Sequence, residues 1–235
     1  MRLVVDVHPG WSGGAGGSQR LRAFTLVELL VVVAVLALLA MLLAPALKRG
    51  RDAARTSACA ARMRQVGLAM LSYATDNQDR FPRSQHSAFT HGELVWERAL
   101  APYLQSSASG WRELLKNVYR CPADARAASL LSYGVNVYFE LDAEEDDYEG
   151  KPATWRYRAA VSKPSGTVYL AENNSSADHI MPNFWAAAAE AEDVASTRHN
   201  GLANYTFVDG HVEMRDLLTI YDPPKIDRWH PERVP

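Results

Sequence analysis

Residues 29–47 carry no charged side chain, and that stretch constrains the chain more than any other. At about 1.5 Å of rise each, its 19 residues make a helix of roughly 28 Å, close to the hydrocarbon thickness of a bilayer. A helix buried in a soluble core is seldom apolar on every face for so long. A removable secretory signal has a shorter apolar region ending in small residues, and although Ala44-Pro45-Ala46 loosely fits such a site, the run is too long and has Glu28 at its start. The expectation is one membrane-spanning helix. Glu28 is its anomaly, because a carboxylate in hydrocarbon costs about 2.5–3.5 kcal/mol on insertion scales and needs a compensating partner.

The residues around that glutamate read Ala23-Phe24-Thr25-Leu26-Val27-Glu28, with Arg20 and Arg22 ahead of them. This segment resembles the signal of type IV prepilins and type II secretion pseudopilins. The resemblance implies cleavage between Ala23 and Phe24 by a prepilin peptidase, N-methylation of Phe24, and a role in assembly for Glu28, whose carboxylate would neutralise the new amine of its own or a neighbouring subunit. Pro45 stands where that family often has a proline in its helix. The family usually has glycine before the cut; Ala23 keeps the small size. Lys48, Arg49, Arg51 and Arg55 follow the apolar run, so charge bias alone favours the opposite orientation, whereas the processing motif needs Ala23 on the cytoplasmic side. The expected divisions are a leader at 1–23, a transmembrane helix at 24–47 and a pilin-like globular domain at 48–235.

Without residues 1–23, which hold Arg2, Asp6, Arg20 and Arg22, the formal charge moves from −2 to −4, so no electrostatic case for nucleic-acid binding remains. Beyond Pro45 the pattern is helical but two-faced. Cys59, Met63, Val66, Met70 and Tyr73 recur at helical spacing, which predicts an apolar stripe laid on a domain, and Pro45 should loosen the helix ahead of it. Asp76, Asn77, Asp79 and Pro82 supply its ending, in a spacing that lacks the glycine and distal glutamate of a calcium-binding EF-hand loop. Residues 93–104 and 111–119 read as short helices, with Leu94, Trp96, Leu100, Trp111, Leu114 and Leu115 packing the domain.

The second half reads as strands. "LSYGVNVYFEL" alternates around Tyr133, Val135, Val137 and Phe139, "GTVYLAE" is rich in strand formers, and "NYTFVDGHVEMR" places Asp209-Gly210 between apolar runs as a tight hairpin turn. The fold expected is α+β and pilin-like: a long N-terminal helix, half membrane and half amphipathic, packed on an antiparallel sheet. His199, nine residues and then Asp209-Gly210 resemble the H-X9-DG motif of prepilin-like proteins common in planctomycetes and their relatives. "RQVGLAMLSYATDNQDRFP", "CPAD", "SYGVN" and "KPSGTVYLAE" resemble the same group.

His199 and Asp209, with His211 and Glu172 as further candidate ligands, invite a metal or catalytic reading. The simpler one is structural, Asp209 in its turn and His199 anchoring a loop, so no resident cofactor is expected. If these loops hold a metal, their oxygen ligands favour calcium, and "DAEEDDYEG" at 142–150 is the other acidic candidate. Cys59 and Cys121 form a candidate disulfide, set against a buried Cys59 thiol. The one G-x-S-x-G string, Gly10–Gly14, lies in the Gly/Ser-rich expected leader, and no such nucleophile motif occurs from Phe24 on, so an enzyme is not expected. The functional expectation is a structural subunit of a type IV pilus-like or type II secretion filament. It would be single-pass in the bacterial inner membrane, with its domain in the periplasm or cell exterior. Its partners would be the peptidase, other pilin-like subunits and the assembly platform. The alternative is a membrane-tethered extracytoplasmic binding module that does not polymerise.

Overall fold

The computed structural model describes residues 25–104, 111–126, 131–140 and 155–235. The predicted leader, Ala23, Phe24 and the acidic run at 142–150 lie outside the described residues. The chain divides into two units, residues 1–47 and 48–235.

In the first unit, helix α1 (Leu26–Asp76) begins at Leu26, and its helical assignment continues through Pro45. Its most apolar 18-residue window has a mean hydropathy of 3.1 and none of it is buried. Leu29, Leu36, Leu39 and Leu43 all face outward. So continuous an apolar surface is stable against lipid tails or other apolar helices, not against water. The helix is consistent with a single-pass membrane anchor.

The second unit is built on the distal part of α1. Cys59, Met63, Val66 and Met70 are fully buried and Tyr73 packs against the same core, so the predicted stripe is the buried face. Short helices α2 (Trp96–Ala99), α3 (Ala101–Leu104) and α4 (Trp111–Asn117) follow. Trp96, Leu100, Leu114 and Leu115 enter the core, whereas Leu94 is 60% exposed. The side chain of Trp111 lies outside the described residues.

Five strands form the main sheet: β1 (Tyr133–Asn136), β2 (Val168–Glu172), β3 (His179–Ile180), β4 (Ala203–Phe207) and β5 (Val212–Arg215), in the order β3-β1-β2-β4-β5. A separate two-stranded ribbon joins β6 (Tyr221–Asp222) to β7 (Ile226–Asp227). Every residue of β2 and β4 is buried, so both faces of the central strands are covered. Tyr133, Glu172, Asn204 and Thr206 face α1. Tyr169 and Tyr205 face the other way, against Phe81 (5.1 Å between ring centroids) and Trp229 (6.2 Å).

Three local expectations are corrected. The sheet is mixed, because β3 pairs parallel with β1 through Val135↔His179 and Asn136↔Ile180. At two residues, β3 is too short to leave a period in the sequence. The predicted strand through Phe139 stops at Asn136, whose Oδ1 accepts the Tyr138 N–H and starts a 3-10 turn at Val137–Phe139. Its Nδ2 donates to the carbonyls of Val168 and Trp229, 2.8 Å each, so the polar side chain ties two segments together. In the β4–β5 hairpin only Gly210, at φ +86°, enters the left-handed region; Asp209 does not. The turn closes with the Gly210 N–H on the Phe207 carbonyl and the Phe207 N–H on the His211 carbonyl, a bulged hairpin rather than a two-residue turn. Two-residue turns with both central residues left-handed stand elsewhere, at Gln78 (φ 60°) and Asp79 (φ 64°) and at Asn200 (φ 56°) and Gly201 (φ 89°), the second just after His199.

Glu97 on α2 is buried, and its Oε2 has no hydrogen-bond partner among the described residues. Burial pushes its carboxyl up to about 7. An acid whose pKa is raised by folding contributes fully below its unfolded pKa and loses that contribution as pH rises through the folded value. Glu97→Gln is therefore expected to stabilise the chain by about 2–3 kcal/mol at pH 8 and by almost nothing at pH 4, read from urea unfolding at both pH values.

Candidate functional site

The start of α1 supplies an answer to the Glu28 anomaly that the sequence reading did not give. Glu28 Oε2 accepts the Thr25 backbone N–H at 2.9 Å and the Thr25 hydroxyl at 2.8 Å. In return the Glu28 N–H donates to Thr25 Oγ1 at 3.2 Å. This is a reciprocal capping box, which satisfies two donors that a helix start leaves open. The signal, Thr followed three residues later by Glu, stands in the sequence.

The second unit brings four chemically active side chains to one buried place. Cys59 comes from α1, Cys121 from the Cys-Pro turn after α4, Glu172 from the end of β2, and His199 from the residue before the Asn200-Gly201 turn. One ligand atom from each lies within 4.8 Å of all the others. Cys59 Sγ donates to Glu172 Oε1 at 2.8 Å, His199 Nε2 faces the same oxygen at 2.8 Å, and Cys121 Sγ is 3.6 Å from His199 Nε2. Glu172 Oε2 is fixed by the Asn204 N–H at 2.8 Å. The two thiols are separate here.

The network assigns the histidine tautomer. The Thr56 hydroxyl donates to the Asp52 carbonyl at 3.0 Å, so its contact with His199 Nδ1, also 3.0 Å, has Nδ1–H as donor. Nε2 is thereby aimed at the cluster. Burial opposes a charge on His199, but its bonds to Cys121 and Glu172 raise its pKa to about 9. Burial likewise acts against the Glu172 carboxylate, yet the His199 bond, its charge and the other donors hold the pKa below the usual range. Between the sulfurs, the neighbouring Cys59 thiol lowers the Cys121 pKa, while burial raises that of Cys59.

A ring of charge surrounds these groups. The Arg198 guanidinium lies 3.7 Å from Glu172 Oε1 and 3.4 Å from Asp124 Oδ2, and it donates to the Asn173 and Ser132 carbonyls at 2.7 and 3.1 Å. Arg126 grips Asp124 through Nε at 2.9 Å and Nη2 at 2.7 Å. A cleft of about 210 Å³ lined by Asp52, Arg55, Thr56, Arg198 and His199 reaches the cluster from outside.

Of the residues singled out in the sequence, the structure gathers His199, Glu172, Cys59 and Cys121. Asp209 and His211 are not in this group: they pair with each other on the exposed hairpin, the Asp209 carboxylate also accepting the His211 N–H at 3.1 Å. The His199 side chain bonds to Thr56 and Glu172. Sequence reasoning missed the meeting of the cysteines with the histidine.

Residues 48–185, more than half of the chain, match the family described as protein of unknown function (DUF1559). The chain belongs to that family. Residues 19–44 match the prokaryotic N-terminal methylation motif, so this DUF1559 member is a prepilin-type precursor. The DUF1559 match includes Cys59, Cys121 and Glu172, and His199 lies beyond it. No curated protein and no solved structure matches the chain.

Proposed function

We propose that this chain is a filament subunit of a type IV pilus-like or type II secretion apparatus. It is made as a prepilin, cut before Phe24 by a prepilin peptidase, methylated there, and held in the inner membrane by residues 24–47 until assembly. Residues 48–235 form the domain carried to the periplasm or cell exterior. The observation that carries this reading is the methylation motif running directly into an apolar helix whose single charge up to residue 47 is Glu28. Cleavage leaves a cationic amine at Phe24, and a carboxylate four residues on, in the same or a neighbouring subunit, is its counterion in a medium where lone charges are costly.

The capping box sharpens the test, since removing Glu28 removes both a cap and a charge. Gln serves a capping box as Glu does, so Glu28→Gln keeps the cap and deletes the charge. Both Glu28→Gln and Glu28→Ala should remain membrane-inserted and processed while cross-linked multimers fall at least about tenfold, the equivalent of roughly 1.4 kcal/mol of lost attraction. Multimers from Glu28→Gln at the wild-type level would mean that the glutamate only caps its helix. If wild type also yields no multimers, the chain is a tethered module that does not polymerise.

A further inference from the structure

We infer that Cys59, Cys121, Glu172 and His199 form a zinc site that clamps α1 to the sheet of the second unit. The site stands independently of whether the chain polymerises. Two sulfurs, one imidazole nitrogen and one carboxylate oxygen are a tetrahedral zinc donor set, in contrast to the oxygen ligands that calcium takes. With metal–ligand distances of about 2.0–2.3 Å, donors at tetrahedral corners lie about 3.3–3.8 Å apart. The Cys121 Sγ to His199 Nε2 separation, 3.6 Å, is already in that range. The two contacts of Glu172 Oε1, both at 2.8 Å, must open by about half an ångström to His199 and by about three-quarters of an ångström to Cys59. All four residues are at most 5% exposed.

The surroundings are those of a ligand sphere held from behind. Thr56 accepts Nδ1–H, which keeps the Nε2 lone pair for the metal, the usual outer-sphere arrangement for a zinc histidine. The Ala123 N–H points at Cys121 Sγ at 3.4 Å and stabilises a thiolate, and the Asn204 N–H holds the second carboxylate oxygen in place. Charge closes as well. Two thiolates, Glu172 and Asp124 are countered by Arg126, Arg198 and a divalent cation, leaving the buried group neutral. On binding, the zinc takes the place of the protons on the sulfurs and on Nε2, which leave to solvent. The cleft over Thr56 and His199, with Asp52 on its wall, provides the route in.

The test uses the full chain extracted in detergent, with free thiols trapped by alkylation in a parallel sample. About one zinc per chain is expected by elemental analysis, with an X-ray absorption edge that fits two sulfur and two nitrogen or oxygen neighbours. Reduced metal-free chain refilled with Co(II) should show thiolate-to-cobalt charge transfer and the intense visible bands of a tetrahedral site. Thr56→Val leaves all four donors in place, and zinc affinity should fall about tenfold or more. Recovery of a Cys59–Cys121 disulfide in the native chain overturns the proposal. So does a reduced wild-type chain that takes up no zinc at micromolar concentration, or one that carries another metal stoichiometrically. None of these wild-type readouts depends on a variant folding.

Discussion

Glu172→Ala is expected to lower the stability of the metal-free chain by about 3–5 kcal/mol at pH 7, read as a shift of the urea midpoint followed by tryptophan fluorescence with chelator present. The carboxylate is fully buried and is the common acceptor of Cys59, His199 and two nitrogens of Asn204. Deleting it leaves the Asn204 N–H without its acceptor, the His199 charge without its nearest anion and Arg198 with Asp124 but without its second carboxylate, and an uncompensated buried charge is the costly remainder of a broken pair. Glu172→Gln keeps the shape and an acceptor oxygen, so its cost should be smaller, about 2 kcal/mol. The pH dependence gives an independent check. Folding lowers the Glu172 pKa, so its contribution is present above the ordinary glutamate range and lost as pH falls through the lowered value. The gap between wild type and Glu172→Ala should therefore narrow in acid. A gap that widens instead would show that the carboxyl is buried in its neutral form.

Features whose cause is local were readable in the sequence. The stripe from Cys59 to Met70 is the buried face of α1, and "GTVYLAE" contains β2, because periodicity and strand preference act over a few residues. The methylation motif is also local, and it matches where it was read. The reading fell short where one residue answers to two demands. Val137 and Phe139 alternate as in a strand, but Asn136 is claimed by carbonyls 32 and 93 residues away and turns the chain there. The buried cluster left no local sign. Cys59 and Glu172 are 113 residues apart, Cys121 and His199 78, and only the closed sheet brings them together. That is why the metal reading, which had His199 and Glu172 among its candidate ligands, leaned to calcium and left out the two cysteines. The Thr25–Glu28 cap was legible, yet the cost of a charge in lipid drew the reading toward a partner outside the helix.

Gly210→Val is expected to destabilise the second unit by about 3–4 kcal/mol, combining a β-branched residue in the left-handed region with overpacking. The hairpin presents Gly210 at φ +86° directly to α1, where an added Cβ would lie 2.8 Å from Leu71 Cδ1. The helix answers with its own glycine. A Cβ at Gly67 would lie 2.8 Å from Thr206 Cγ2 and 3.1 Å from the Gly210 carbonyl oxygen. Two glycines thus let the α1 backbone approach the β4–β5 turn, and that approach is what the helix gains for an interior glycine that costs about 1 kcal/mol relative to alanine. Gly210→Asn separates the two causes, because Asn tolerates the left-handed conformation but not the lack of space. If conformation alone mattered, Asn would be nearly neutral; contact with Leu71 predicts that it still costs about 1–2 kcal/mol. Gly67→Ala and Gly210→Ala should also fail to add, since either one moves the same helix off the same turn. A double-mutant cycle on urea midpoints should give a coupling of about 0.5–2 kcal/mol, and strict additivity would mean that the two glycines serve separate needs.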